Sequence, residues 1–213
     1  MKWLFILAII LLPHRTEAKD QGCSDIVEPK HFPLPWQSIH DQQLERLPST
    51  VDVLLIGDSH AALWEAHLLS PRQIFNAGVG GALIEQVLWR VRDPKWQAVT
   101  PKNVVLFIGS NNHARGDCAV AIIDGISTLL SRVVRLWPDA RVFVVGIPPR
   151  GPRGALRPSE RVVINTFLKE RVPLQGATYV GTDDLIHHLG VGDVHYNVEA
   201  YQALTSAIVS LLQ

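Results

Sequence analysis

Short apolar runs alternate with longer segments of helical spacing from Val51 to the end of the chain. Apolar runs without polar alternation are typical of strands that are buried on both faces of a sheet. The runs predict five strands, at Val51–Gly57, Arg72–Ala77, Asn103–Gly109, Arg141–Ile147 and Ala177–Gly181. The spacing between and after them predicts a helix that runs through Leu69 and further helices at Ala82–Val91, Ala119–Leu136, Ser159–Arg171 and Val198–Leu212.

Five buried strands interleaved with helices predict a single α/β domain of three layers around an open parallel sheet. We expect the flavodoxin-like strand order 2-1-3-4-5. In such sheets ligands bind beyond the carboxyl ends of the strands, where the strand order reverses. The loops after the first three strands should therefore meet at one crevice, and they contain Gly57-Asp58-Ser59-His60, Asn76-Ala77-Gly78 and Gly109-Ser110-Asn111-Asn112.

The segment before the domain has two parts. Lys2, an apolar run from Trp3 to Leu12 and a small-residue site ending at Ala18 form the pattern of a secretory signal peptide over residues 1–18. The run is too short to span a membrane, so we expect cleavage after Ala18, a secreted or periplasmic protein and no membrane span thereafter. Residues 19–50 are rich in proline and predict an arm that wraps the domain at 51–213.

Charge, cysteine content and histidine spacing bear on nucleic-acid binding, on disulfide pairing and on metal binding. The chain carries 20 basic and 20 acidic residues, which gives no reason to expect nucleic acid as a partner. Cys23 and Cys118 could pair in an oxidising compartment, but the sequence leaves open whether their sulfurs meet. His187, His188 and His195 lack the ligand spacing of a metal site.

Ser59 has two interpretations, because it stands where a predicted strand turns into a helix. A serine at this position commonly caps the helix. A nucleophilic serine instead needs a base and hydrogen-bond donors for an oxyanion. His195 is the candidate base, and the N–H groups of Ser59 and Gly78 with the Asn111 amide are candidate donors. The order of these residues in the chain and their positions at strand ends favour the interpretation of Ser59 as a nucleophile.

Four short blocks in this order resemble the SGNH hydrolases, also called the GDSL esterase and lipase family. Gly57-Asp58-Ser59 is similar to the first block, Gly78 to the second, Gly109–Asn112 to the third and His195 to the fourth. Asn112 replaces the aspartate that usually ends the third block, and His60 replaces the leucine of the namesake motif. His60 is interpreted as a pocket-lining or helix-start residue, with a second titrating group left open.

The resemblance implies a serine esterase that hydrolyses a carboxylic ester through an acyl-enzyme. Ser59 would be the nucleophile, His195 the base, and Ser59, Gly78 and Asn111 would form the oxyanion hole. No metal or organic cofactor is implied. An O-acyl carbohydrate or a lipid ester is the expected small-molecule partner, and the sequence carries no signal for an oligomeric state. An acyltransferase and a catalytically silent binding domain of the same fold remain alternatives.

The group that orients His195 departs from the family pattern. The family places an aspartate three residues before the histidine, and Gly192 occupies that position here. Asp193 lies two residues before the histidine, where it would point the same way in an extended segment. We expect Asp193 to orient the imidazole. Asp183, Asp184 and a Ser–His dyad held by a backbone carbonyl are the alternatives.

An arginine-rich loop follows the fourth predicted strand and should lie on the same edge as the site. It contains Arg150, Arg153, Arg157 and Arg161. One hypothesis is an ordinary solvated loop, and the other is a site for an anionic group of the substrate. A dinucleotide site is not indicated, because Gly78-Val79-Gly80-Gly81 is followed by Leu83 where the fingerprint needs glycine.

Overall fold

The computed structural model describes residues 23, 25–34, 36–152, 157–185, 189–190 and 193–212. The predicted signal peptide at 1–18 lies outside the described residues, as do Arg153, His187, His188 and Gly192.

Five parallel strands form one sheet in the order β2-β1-β3-β4-β5. This order confirms the prediction. The strands are β1 (Thr50–Gly57), β2 (Ile74–Gly78), β3 (Thr100–Phe107), β4 (Arg141–Val145) and β5 (Thr178–Val180). The carboxyl ends of β1, β2 and β3 are neighbours, since Gly57 pairs with both Gly78 and Phe107.

Helices cover both faces of the sheet. They are α1 (Trp36–Glu45), α2 (Ser59–Ala62), α3 (Ile84–Arg90), α4 (Ser110–Arg115), α5 (Ala119–Leu136), α6 (Pro158–Leu174) and α7 (Val198–Leu211). Short 3₁₀ turns lie at Ala66–Leu69, Pro94–Ala98 and Asp183–Leu185. The bounds of α5 are those that the sequence predicts.

The continuous apolar runs arise because each strand contributes to two cores. Leu54 and Ile56 of β1 pack into one core, whereas Val53 and Leu55 pack into the core on the opposite face. All four side chains are buried. Side chains alternate across a strand, so a strand covered on both faces needs apolar residues at every position.

The helix predicted to run from the first strand through Leu69 is broken, which corrects the prediction. Its first part, α2, ends at Ala62. The Asn76 Nδ2 group donates hydrogen bonds to the carbonyls of Ala61 at 2.7 Å and Trp64 at 3.1 Å. A longer helix would use these carbonyls for its own backbone hydrogen bonds, so the side chain from β2 helps to end it.

The arm before the domain contains a helix that the sequence does not predict. Only His40 and Leu44 of α1 are buried, and this leaves almost no apolar periodicity to detect. Arg90 of α3 anchors this helix, donating a hydrogen bond of 2.6 Å to Gln43 Oε1 and another of 2.6 Å to the carbonyl of Ala77. A disulfide between Cys23 and Cys118 also ties the arm to the domain.

Asn112 connects the loop after β3 to the start of α3. Its Oδ1 accepts a hydrogen bond of 2.9 Å from the Ile84 N–H. Its Nδ2 donates to Glu85 at 3.0 Å and to Asp117 at 2.9 Å, and Arg115 forms ion pairs with both carboxylates. An aspartate at this position would be a third carboxylate between two others, which explains why this chain has an asparagine there.

Replacing Asn112 with aspartate should destabilise the fold. The variant loses both donated hydrogen bonds and adds a buried like charge, so we expect Asn112→Asp to lower the free energy of unfolding by about 2–4 kcal/mol at pH 7. Urea denaturation measures the change. The difference from the wild type should shrink at pH 4, where the added carboxylate is protonated. Equal stability at pH 7 would contradict this interpretation.

Candidate active site

Asp58, and not Ser59, caps the helix at the end of β1. The Asp58 Oδ1 atom accepts a hydrogen bond of 2.9 Å from the His60 N–H, as an N-cap side chain does. Ser59 is the first residue of α2, so its hydroxyl is not needed for capping. Ser59 Oγ instead lies 2.9 Å from His195 Nε2. The structure brings together the two residues that the sequence predicts as nucleophile and base.

His195 is held in the short segment before α7. The His195 carbonyl accepts a hydrogen bond of 2.8 Å from the Gly190 N–H, and Leu189 pairs with Tyr196 in an isolated antiparallel bridge. Asn197 then caps α7, because its Oδ1 accepts from the Ala200 N–H at 2.9 Å. Contacts on both sides of His195 therefore position its backbone opposite Ser59.

The predicted oxyanion donors differ in availability. Asn111 Nδ2 donates to the Ala82 carbonyl at 3.0 Å, which uses one of its two hydrogens. The Ser59 N–H has no acceptor among the described residues. The Gly78 N–H, however, donates to Asn76 Oδ1 at 2.9 Å. The Gly78 N–H is therefore already hydrogen-bonded in this structure, and its role as an oxyanion donor stays a prediction.

Gly81 has an N–H group in the same loop that the sequence analysis did not single out. Trp36 Nε1 donates to the Gly80 carbonyl at 2.8 Å. In a trans peptide the carbonyl and the following N–H point in opposite directions, so the Gly81 N–H points away from Trp36. It has no acceptor within the described part of the chain. The positive φ of Gly81, 76°, is a conformation that favours glycine.

The backbone at Asp193 is not extended, and the expected role of Asp193 in orienting His195 stays a prediction. Its φ of 57° interrupts the extended backbone that the prediction assumed. Its side chain lies against Gly151, where an added Cβ would come within 2.6 Å of Asp193 Cβ and Cγ. Within the described residues, the His195 ring forms a hydrogen bond, which joins its Nε2 atom to Ser59 Oγ. Asp183 accepts from Arg161 at 2.7 Å instead.

The surroundings of His195 favour its neutral form. Partial burial lowers the pKa of His195, and the positive charge of Arg150 lowers it further. Burial likewise lowers the pKa of His60 to about 3. The buried His60 ring lies 5.3 Å from the His195 ring and 5.1 Å from the Phe107 ring, so it packs beside the base as a neutral aromatic group. A neutral imidazole at position 195 can accept a proton at pH 7.

Asp58 lies fully buried below Ser59. Burial raises its pKa to about 7, although the hydrogen bond from the His60 N–H and the charge of Arg150 oppose this effect. Asp58 therefore supplies a cap and only part of a negative charge near neutral pH.

The arginines after β4 divide into two groups. Arg157 forms an ion pair with Glu160 and donates to the His113 carbonyl at 2.7 Å. Arg161 pairs with Asp183 at 2.7 Å. Arg150 donates instead to Ser110, at 3.0 Å to Oγ and 3.2 Å to the carbonyl. Arg157 and Arg161 thus hold the loop and α6, whereas Arg150 contacts the residue before Asn111.

Among the described residues, no cluster of three or more His, Cys, Asp or Glu side chains could hold a metal ion. No helix in the described part of the chain is both long and apolar enough to cross a membrane.

Curated proteins of similar sequence share most of their length with this chain. The alpha1 subunit of platelet-activating factor acetylhydrolase IB from Rattus norvegicus is 31% identical over 196 residues, which cover 83% of this chain and 82% of that protein. The alpha2 subunit from Homo sapiens is 29% identical over 168 residues, covering 75% of this chain and 72% of that protein.

Solved structures share the fold. A GDSL-like lipase from Bacteroides thetaiotaomicron has a TM-score of 0.71 and 15% identity, covering 84% of this chain and 97% of that chain. Est24, a carbohydrate acetylesterase from Sinorhizobium meliloti, has a TM-score of 0.63 and 16% identity, covering 76% and 98%. Residues 56–203 match the sequence model of the GDSL-like lipase/acylhydrolase family. With its sheet order and its pairing of Ser59 with His195, the chain belongs to this family, that of the GDSL or SGNH hydrolases.

Proposed function

We propose that the protein is a serine esterase that hydrolyses a carboxylic ester through an acyl-enzyme. The observation that carries the proposal is the distance of 2.9 Å between Ser59 Oγ and His195 Nε2. A hydroxyl and a neutral imidazole at this distance are arranged for nucleophilic attack with general-base assistance. Membership of an acylhydrolase family supports the same class of reaction.

In the proposed reaction, Ser59 Oγ attacks the ester carbonyl carbon while His195 Nε2 takes the hydroxyl proton. The tetrahedral oxyanion then collapses, the bond to the alcohol breaks, and the imidazolium gives its proton to the departing alkoxide. Water attacks the acyl-enzyme with His195 again acting as base, which releases the acid and restores Ser59. Each proton that His195 accepts is returned within the same half-reaction.

Three donors are proposed for the oxyanion. They are the N–H of Ser59, the second Nδ2 hydrogen of Asn111 and the N–H of Gly81. Gly81 takes the place of Gly78, because the Gly78 N–H already bonds Asn76. The hydrogen bond from Asn111 to Ala82 joins the loop that carries Gly81 to the loop after β3. This contact would keep two of the donors at a constant separation.

We propose a Ser–His dyad in place of the usual triad. Position 192 is glycine, and the side chain of Asp193 lies against Gly151. The pKa-lowering surroundings of His195 fit a base that works without a carboxylate partner.

For the substrate, we propose a small ester such as an O-acyl carbohydrate or a lipid ester. The names of similar proteins, a platelet-activating factor acetylhydrolase and a carbohydrate acetylesterase, motivate this range. We also propose that the protein acts outside the cytoplasm. The disulfide between Cys23 and Cys118 supports an oxidising compartment, as does the signal-peptide pattern at residues 1–18.

Removing the nucleophile should nearly abolish activity. We expect Ser59→Ala to hydrolyse 4-nitrophenyl acetate at the background rate and to resist labelling by a fluorophosphonate.

Asn111→Ala should lower kcat for the same ester by about 10²–10³, the usual effect of one lost oxyanion donor. Ser206→Ala, an exposed serine of α7, is the matched control. Wild-type protein that neither turns over the ester nor reacts with the probe would indicate a silent binding domain.

The Asp193→Asn variant tests whether the enzyme uses a Ser–His dyad or a triad that includes Asp193. Asparagine tolerates the positive φ at this position, so the backbone should be preserved. We expect kcat to change by less than tenfold, because the proposed dyad does not use the Asp193 carboxylate. A triad aspartate in a serine protease contributes about 10⁴, and a loss of that size would overturn the dyad.

The pH dependence of kcat/KM should reflect the lowered pKa of His195. The base must be neutral, so activity falls as pH drops through the pKa of the free enzyme. We expect the midpoint of the acid limb below 6.5, the ordinary value for histidine. A midpoint at or above 6.5 in steady-state kinetics would contradict the proposed surroundings of the base.

A further inference from the structure

We propose that Arg150 selects esters that carry an anionic carboxylate or phosphate group close to the scissile bond. Arg150 would then be a specificity-determining residue of the proposed esterase, and this inference depends on that function.

Arg150 is placed beside the proposed oxyanion site. It follows β4, and its Nη2 group donates to the hydroxyl and the carbonyl of Ser110. Ser110 is buried and is the first residue of α4, between Gly109 and Asn111. The side chain of Arg150 is partly exposed, so a ligand in the crevice can reach it.

The charge of Arg150 is not paired by a carboxylate. Arg157 and Arg161 have ion-pair partners in Glu160 and Asp183. Both hydrogen bonds of Arg150, in contrast, go to neutral oxygens of one serine. Across the described ranges, no ion pair within 4.0 Å involves Arg150. Partial burial of an unpaired cation is unfavourable, and a bound anion would remove that cost.

Four titratable groups on other elements experience the charge of Arg150. Three are histidines, His60 of α2, His113 of α4 and His195 before α7, and burial and Arg150 lower the pKa of each. The fourth is Asp58, whose buried carboxyl is largely kept from ionising below neutral pH. The positive charge of Arg150 therefore acts on the base, and the Asp58 carboxyl compensates it only in part near neutral pH.

The geometry of a guanidinium suits a carboxylate or phosphate. Arginine has five N–H donors in a planar arrangement that matches two oxygens of such a group. The two hydrogen bonds to Ser110 both use Nη2, so the Nε and Nη1 hydrogens have no acceptor in the described part of the chain. These donors are the ones that we assign to the anionic group of the substrate.

A purely positional role makes a different prediction. If Arg150 only holds Ser110, and through it Asn111, its loss should slow all esters by the same factor. If it binds an anion, the loss should be larger for anionic esters and should appear mainly in KM. The comparison of matched substrates separates these two roles.

The experiment measures kcat and KM for two pairs of esters. One pair, 4-nitrophenyl hemisuccinate and 4-nitrophenyl butyrate, places the charge on the acyl side. The other, acetylated glycerol 3-phosphate and monoacetylated glycerol, places it on the alcohol side. In at least one pair we expect the wild type to prefer the anionic ester. Arg150→Met should reduce this preference by about tenfold to a hundredfold, which is the range for the loss of a charge-assisted hydrogen bond.

Two variants control this experiment. Arg171→Met removes an exposed arginine from the last turn of α6 and should leave both preferences unchanged. Arg150→Lys keeps the positive charge and should retain part of the preference for anionic esters. It provides the test if Arg150→Met does not fold. Absence of a wild-type preference in both pairs, or an equal loss for both members of each pair, would overturn the inference.

Failure of the esterase proposal gives a different result. In that case the wild type would hydrolyse neither the neutral nor the anionic esters, and Ser59 would not react with a fluorophosphonate. Turnover that depends on Ser59 but shows no charge preference rejects only the role of Arg150.

Discussion

The hydrogen bond between Ser59 and His195 joins residues that are 136 positions apart in the chain. Its geometry depends on the end of β1, where Asp58 accepts the His60 N–H of α2 and leaves the Ser59 hydroxyl available. It depends equally on the segment before α7, which Gly190 and Asn197 hold from either side. A reactive pair on two loops keeps its distance only if both loops are bonded to rigid elements.

The loops around this pair are fastened by side chains rather than by longer secondary structure. Asn76 ends α2 and binds the Gly78 N–H, so one amide group fixes the loop after β2 and the helix that carries the nucleophile. Asn112 joins the loop after β3 to α3 through two buried carboxylates. A network of this kind positions donors without the mobility of a free loop, because each buried polar atom must keep its partner.

The electrostatics near His195 differ from those of a Ser-His-Asp triad. The positive charge of Arg150 acts on the base, and burial raises the pKa of the neighbouring Asp58 carboxyl to about 7, so this carboxyl is only partly ionised at neutral pH. Such surroundings keep the imidazole neutral and make an anionic ligand favourable. The departure from the family pattern at Gly192 and the unpaired guanidinium are therefore consistent with each other.

The pattern of apolar residues was sufficient to predict the architecture. Uninterrupted Val, Ile and Leu runs can be satisfied only by strands that are covered on both faces, so the five strands, their order and the meeting of three loops were predictable. The pairing of Ser59 with His195 was predicted from the order of the four blocks and their resemblance to the SGNH hydrolases. Local pattern could not show α1, which buries only His40 and Leu44.

Tertiary structure alone decided which donors and charges are available. The Gly78 N–H is used by a side chain from the same strand, the Asp193 side chain packs against Gly151, and Arg150 lacks the carboxylate partner that Arg157 and Arg161 have. These outcomes depend on side-chain contacts between distant segments and on the left-handed backbone of Asp193, two residues before His195. Residue spacing along a chain does not encode the direction of a side chain once the backbone leaves regular structure.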